Sequence, residues 1–151
     1  MKSGFTLMEM VIVILLLGIV AIVAVPNFFD LRDDAKDAVT KDRMQALKRA
    51  IVGDGRVVAG GVHAFPGYYG DMGRLPSALS ELVTQGAQTA YNPITRIGWR
   101  GPYVDSSNLS SYSSDAWGTA FVYSSASRYI RSWGPNKADN AGASDDIQLA
   151  F

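Results

Sequence analysis

The chain predicts an α+β fold, a long and partly transmembrane N-terminal helix packed on a small C-terminal antiparallel β-sheet head. Three observations lead there. Residues 5–25 are an almost unbroken apolar run, interrupted by Thr6, Glu9 and Gly18. Residues 26–52 continue with apolar positions recurring at helical spacing among charges. Strand patterns then gather near the C-terminus, at 119–124, 127–133 and 147–151.

The apolar run would span about 32 Å as a helix at 1.5 Å per residue, close to a bilayer core of roughly 30 Å. The apolar part of a secretory signal peptide is shorter, about 7–15 residues, although cleavage after Ala24 is the rival reading. Lys2 ahead of the run places the N-terminus in the cytoplasm and everything beyond Pro26 outside. Glu9 is the anomaly, because a carboxylate within a spanning helix costs on the order of 2.5–3.5 kcal/mol at the bilayer centre. It either snorkels to the headgroups or neutralises a positive group on another subunit.

Beyond Pro26, Leu31, Ala35, Ala38, Val39, Ala46, Leu47, Ala50 and Ile51 approximate one stripe. Asp33 with Lys36 and Asp37 with Lys41 have the spacing of a solvated helix face. Gly53-Asp54-Gly55 ends the helix. Residues 56–70, rich in glycine and aromatics, read as loop with at most short structure. A short helix is expected over 78–85, with Ser77 as N-cap, Gly86 as stop and Glu81 facing solvent. Phe121 and Tyr123 share one side of the first C-terminal strand. Domain boundaries follow as 1–4, 5–25, 26–52 and 53–151.

Composition narrows the function classes. Of 151 residues, 48% are hydrophobic and 19% charged, with 14 Lys+Arg balancing 14 Asp+Glu, so no basic track for nucleic acid is evident. There is no cysteine and one histidine, His63, which excludes disulfides, thiolate zinc sites and multi-histidine metal centres. Glutamate occurs only at positions 9 and 81, and no G-x-S-x-G elbow or Walker-type loop is present. A serine hydrolase built on His63 therefore has little to rest on. Tyr68, Tyr69 and Tyr112 are expected to be covered by the sheet or by a neighbouring subunit rather than to form a site.

Lys2-Ser3-Gly4 followed by Phe5-Thr6-Leu7-Met8-Glu9-Met10 resembles the class III signal of type IV pilins and type II secretion pseudopilins. Gly18 and Pro26 also fall where pilins commonly carry a glycine and a helix-bending proline. The resemblance implies cleavage between Gly4 and Phe5 by a prepilin peptidase, N-methylation of Phe5, retention of the apolar helix, and pairing of Glu9 with the amine of a neighbouring subunit. In the head, Gly73-Arg74-Leu75-Pro76, Trp99-Arg100-Gly101-Pro102-Tyr103, Asp115-Ala116-Trp117-Gly118 and Ser132-Trp133-Gly134-Pro135-Asn136 are similar to blocks of the major pseudopilin, with Ala116 in place of a proline.

Between Ser132 and Ile147 lie Asn136, Asp139, Asn140, Ser144, Asp145 and Asp146, hard oxygen donors on a turn-prone loop without EF-hand spacing. Composition alone favours a solvated Asx-rich loop. The resemblance implies calcium here, held by carbonyls of Ser132 and Trp133 and by Asp146, with Asn136 standing where an aspartate is expected, so that affinity is reduced, passes to Asp139 or Asp145, or is lost.

The implied function is a structural, non-enzymatic subunit of a periplasmic filament. It would be stored as a single-pass protein of the inner membrane, in contact with lipid, with its head in the periplasm. Its implied partners are copies of itself, other pseudopilins or pilins, the prepilin peptidase and an inner-membrane assembly platform, with no nucleic acid. The alternatives are a type IV pilus subunit and, from a different class, a membrane-anchored periplasmic enzyme or binding protein. The missing C-terminal cysteine pair and the tryptophan blocks favour the pseudopilin.

Overall fold

The computed structural model describes the backbone of residues 5–59, 62–107 and 110–151, and the side chains of these except 23–30, 57–59, 62–64 and 110–111. Gly4, expected at the processing site, lies outside the described residues. The chain divides into two compact units, Met1–Ala35 and Lys36–Phe151. Helix α1, Leu7–Val52, supplies residues to both, and Pro26 lies within it without ending it.

In the first unit the side chains from Phe5 to Ile22 are exposed on every side of the helix. No stripe is spared, as expected for a helix whose covering comes from outside the chain.

The second unit has a closed core. Thr40, Met44, Leu47 and Ile51, spaced four, three and four residues apart, bury one face of α1 together with Ala50. They meet Tyr68, Leu82, Phe121 and Ile130. Each fully buried Met, Leu or Ile contributes about 1.5–3 kcal/mol relative to exposure. This face differs from the expected stripe: Leu31, Ala35, Ala38, Val39 and Ala46 stay exposed, while Thr40 and Met44 take the interior. Thr40 can do so because its Oγ1 accepts a hydrogen bond from the Ala116 N–H at 3.1 Å. Lys41 and Asp37 form the expected surface pair at 2.5 Å.

Gly53 stops α1 in a left-handed conformation (φ 85°), its N–H donating to the Arg49 carbonyl at 2.8 Å. A Cβ at Gly53 would lie 2.4 Å from the Phe65 carbonyl oxygen, so the chain can pass closely here only with glycine. The segment read as loop is instead an antiparallel pair, β1 (Asp54–Ala59) and β2 (Val62–Phe65), with a register shift between Asp54 and Val58. It is followed by α2, Gly67–Met72.

The expected helix over 78–85 contracts to a single 3-10 turn, Leu79–Leu82. Ser77 does not cap it. Ala78 holds the cap position in extended backbone, and the Ser77 hydroxyl donates to the Glu81 carboxylate. After the short helix α3, Ser110–Ser113, come β3 (Val122–Ser124), β4 (Tyr129–Ser132) and β5 (Ile147–Ala150), an antiparallel sheet in the order β3-β4-β5. Tyr123, Ile130 and Leu149 lie in one register row. Phe121 is buried just before β3, and Tyr123 stacks on Phe151 at 6.1 Å. The second unit is thus an α+β head, its sheet packed on the C-terminal part of α1. Lys48 Nζ ties the two by donating to the Ala150 carbonyl at 2.9 Å.

Candidate functional site

At the start of α1 the Glu9 N–H donates to Thr6 Oγ1 at 3.2 Å, and the Thr6 N–H donates to Glu9 Oε2 at 3.4 Å. This is a capping box, which satisfies two otherwise orphan donors and sets a carboxylate against the positive end of the helix. Glu9 is therefore engaged with its own helix, a partner the sequence reading did not give it. The signal was present as Thr6-x-x-Glu9 ahead of an apolar run. Phe5, expected to become the first mature residue, is 75% exposed. Among the described residues no helix is long and apolar enough to cross a membrane; the described side chains of the apolar run stop at Ile22.

The head blocks act as clips. Arg74 pairs with Glu81 at 3.1 Å and lies over the Tyr68 ring, and the buried Tyr68 hydroxyl donates to Glu81. Glu81 therefore turns inward rather than to solvent. Burial pushes its carboxyl up, but hydrogen bonds from Ser77 and Tyr68 and the Arg74 charge outweigh this and hold it below the usual range. Tyr68 moves the opposite way, raised by burial and by the Glu81 contact. Trp99 Nε1 donates to the Glu81 carbonyl at 2.9 Å. The Tyr103 hydroxyl donates at 3.0 Å to the buried carboxylate of Asp71, which also pairs with Arg100 at 3.1 Å. Burial, with Asp71 beside it, raises Tyr103 to about 12. The Tyr123 hydroxyl donates to the Pro76 carbonyl at 2.9 Å.

Asp115 is 2% exposed. Its Oδ1 accepts from the Trp117 and Thr119 N–H groups at 3.0 and 2.8 Å, and its Oδ2 accepts from the Ser132 hydroxyl at 2.6 Å. Arg43 Nη1 donates to the Ser114 and Asp115 carbonyls at 2.9 and 3.0 Å, joining this turn to α1. Of the three tyrosines considered for contacts, Tyr68 is fully buried, Tyr112 partly buried and Tyr69 49% exposed.

A consequence of the Glu81 cluster can be measured. Its folded pKa lies below the unfolded value, so its stabilisation is complete above about pH 4.5 and is lost as pH falls through the depressed folded value. The melting temperature of the wild type should exceed that of Glu81→Gln at neutral pH, and the gap should shrink in acid. A gap that is constant from pH 7 down to about pH 2.5 would contradict this account.

The loop between β4 and β5 brings together most of the expected calcium ligands, with nitrogen donors already on them. Asp139 takes Arg131 Nη2 on both oxygens at 2.8 and 3.0 Å, and the Ala141 N–H at 2.9 Å. Asp145 takes the Asn136 N–H at 3.0 Å, Asn136 Nδ2 at 2.5 Å and Asn140 Nδ2 at 3.2 Å. The Asn136 N–H in particular holds the Asp145 carboxyl below its usual range. Asp146, its side chain fully buried, takes the Asn140 and Gly142 N–H groups on Oδ2 at 3.1 and 2.8 Å, with Arg131 Nε at 3.9 Å. Asn136 Oδ1 accepts from the Ala138 N–H. The Ser132 hydroxyl also accepts from the Gly134 N–H at 3.1 Å. Among the described residues three buried side-chain atoms have no protein partner: Arg131 Nε, Trp133 Nε1 and Asp146 Oδ1. Among the described residues no group of three or more His, Cys, Asp or Glu could hold a metal ion.

No family model and no solved structure matches the chain. Type II secretion system core protein G of Xanthomonas campestris is 31% identical over 122 residues, covering 81% of this chain and 68% of that protein. The core protein G of Aeromonas hydrophila is 26% identical over 148 residues, covering 97% and 90%. The type IV narrow pilus major component PilA5 of Thermus thermophilus is 44% identical over 48 residues, covering 32% and 41%.

Proposed function

Because the chain belongs to the family of type II secretion system core protein G, we propose that it is a structural subunit of a periplasmic pseudopilus. On this reading it is made with a leader, residues 1–4, that a prepilin peptidase removes between Gly4 and Phe5. Residues 5–25 anchor it as a single-pass protein of the inner membrane, with the head of residues 53–151 in the periplasm. Residues 26–52 continue the helix into the head. Its polymerisation drives protein export.

The observation that carries this reading is the contrast within one helix. From Thr40 onward one face of α1 closes a core, whereas the apolar side chains from Leu7 to Ile22 have no cover from their own chain. Each large side chain gains about 1.5–3 kcal/mol on leaving water. Lipid supplies that cover in storage, and the helices of neighbouring subunits supply it in the filament. Glu9 then exchanges the Thr6 N–H of its own capping box for the N-methylated amine of a neighbouring Phe5. A charge balanced by a fixed partner tolerates an apolar surrounding far better than an unpaired one.

The pseudopilin reading is favoured over a pilus subunit by coverage, since two core protein G relatives align over most of the chain, whereas the pilus component, like a third core protein G, aligns over a third. We read the subunit as having no catalytic activity. The buried acids Asp71 and Asp115 and the inward-facing Glu81 serve in hydrogen bonds that hold the head together. Other pseudopilins and an inner-membrane assembly platform complete its partners, and the balanced charge gives no reason to add nucleic acid.

Intact-mass and N-terminal peptide analysis of protein from native membranes tests the pathway. The mature chain should begin with N-methylated Phe5, and Gly4→Ala should accumulate as the uncut precursor. A chain beginning at Val25 would instead mean an exported soluble protein, and normal processing of Gly4→Ala would remove the peptidase assignment.

A further inference from the structure

We propose that the guanidinium of Arg131 closes the loop between β4 and β5 in the place that the family resemblance implies for calcium, so that the head folds and stays closed without the ion. Arg131 lies on β4 and is 8% exposed. A guanidinium buried that deeply persists only with charged or hydrogen-bonding partners around it. It has them on several sides. Nη2 bonds both oxygens of Asp139, Nε lies 3.9 Å from Asp146 Oδ2, and the guanidinium sits 5.4 Å from the centre of the Tyr129 ring.

The loop is laid over this side chain. A Cβ at Gly142 would come within 3.9 Å of Arg131 Cδ and 2.9 Å of Gln148 Oε1, and Gln148 is the β5 register partner of Arg131. The Gly142 N–H meanwhile holds Asp146. One cation thus gathers acids from the middle of the loop and from its end, the task otherwise done by a divalent ion.

The surrounding donors agree. Asn136, standing where an acidic ligand is expected, points its amide Nδ2 at Asp145, and an N–H donor cannot ligate a metal. Among the described residues, two of the three buried atoms without a partner are donors, Arg131 Nε and Trp133 Nε1. The third, Asp146 Oδ1, belongs to the carboxylate that faces Arg131. A divalent ion at Asp146 would meet Oδ1, but it would share the carboxylate with a buried guanidinium and leave both donors, Arg131 Nε and Trp133 Nε1, unsatisfied. This inference is independent of whether the filament is a pseudopilus or a pilus.

The test uses the full chain in detergent micelles, stripped with a chelator and then titrated with calcium chloride. The wild-type melting temperature should change by less than about 1 °C and no saturable heat of binding should appear, whereas Arg131→Gln should melt lower by roughly 5 °C or more without calcium. A saturable calcium-induced rise of several degrees in the wild type would overturn the proposal. So would an Arg131→Gln protein that melts like the wild type in chelator. Should Arg131→Gln fail to fold, Asp139→Asn leaves the arginine in place with one acid fewer. It should melt lower than the wild type and ignore calcium, and wild-type melting or a calcium response in that variant counts against the inference.

Discussion

Glu9→Ala is expected to insert and to be cut at Gly4 yet to assemble poorly, with filament yield reduced roughly tenfold or more, since about 1.4 kcal/mol lost per subunit contact is a factor of ten in association. Alanine removes both halves of what Glu9 does. It deletes the reciprocal bond to the Thr6 N–H, and it deletes the charge available to a neighbour's amine. Glu9→Gln separates the two, because glutamine can serve at the third position of a capping box but carries no charge. Assembly should fail in both variants. Filament yield from crude membranes, measured beside the amount of processed subunit, decides the matter. Normal assembly of the glutamine variant would reduce Glu9 to a helix cap.

Asp115→Ala should cause the largest loss of head stability, on the order of 3 kcal/mol or more, because three donors that now meet a carboxylate would be left buried or forced to move. They are the N–H groups of Trp117 and Thr119 and the hydroxyl of Ser132. For a domain of this size that corresponds to a fall of roughly 10 °C or more in melting temperature. Asp115→Asn keeps an acceptor for some of these donors and should lose less. Calorimetric melting of both full-length variants beside the wild type checks the order, and equal melting of Asp115→Ala and wild type would show that the turn is held by other means.

Local signals carried the reading furthest where one residue type decides the geometry. Gly53 ends the long helix where the left-handed cap requires it, and the three C-terminal strands fall within the segments read as strands, of which 119–124 carries the alternation. The β1–β2 pair is not read from the sequence although Gly60-Gly61 separates Val57-Val58 from Val62 and Phe65, itself a hairpin signal. Thr40 escaped an apolar count because its burial depends on the Ala116 N–H, seventy-six residues away. Glu81 was sent to solvent for the same reason: Tyr68, which draws it inward, comes from a different element. At the loop, the residue types suggested oxygen ligands, but nothing local to 132–146 reveals that Arg131 on the preceding strand faces them.

The bonds from Thr40 and Arg43 to the 114–116 turn have a mechanical meaning. Within Lys36–Val52, Thr40 is the first position of α1 to be buried, and Arg43 grips the Ser114 and Asp115 carbonyls less than one turn later. Tension carried along the helix from its N-terminal side reaches the head first at these bonds, then at Met44 and Leu47, at Lys48 with the Ala150 carbonyl, and last at Ile51. They lie along one side of a rigid rod and are strained in shear, several at a time, instead of being peeled one by one. A subunit gripped in this way can be drawn along by its own helix while the sheet keeps its shape.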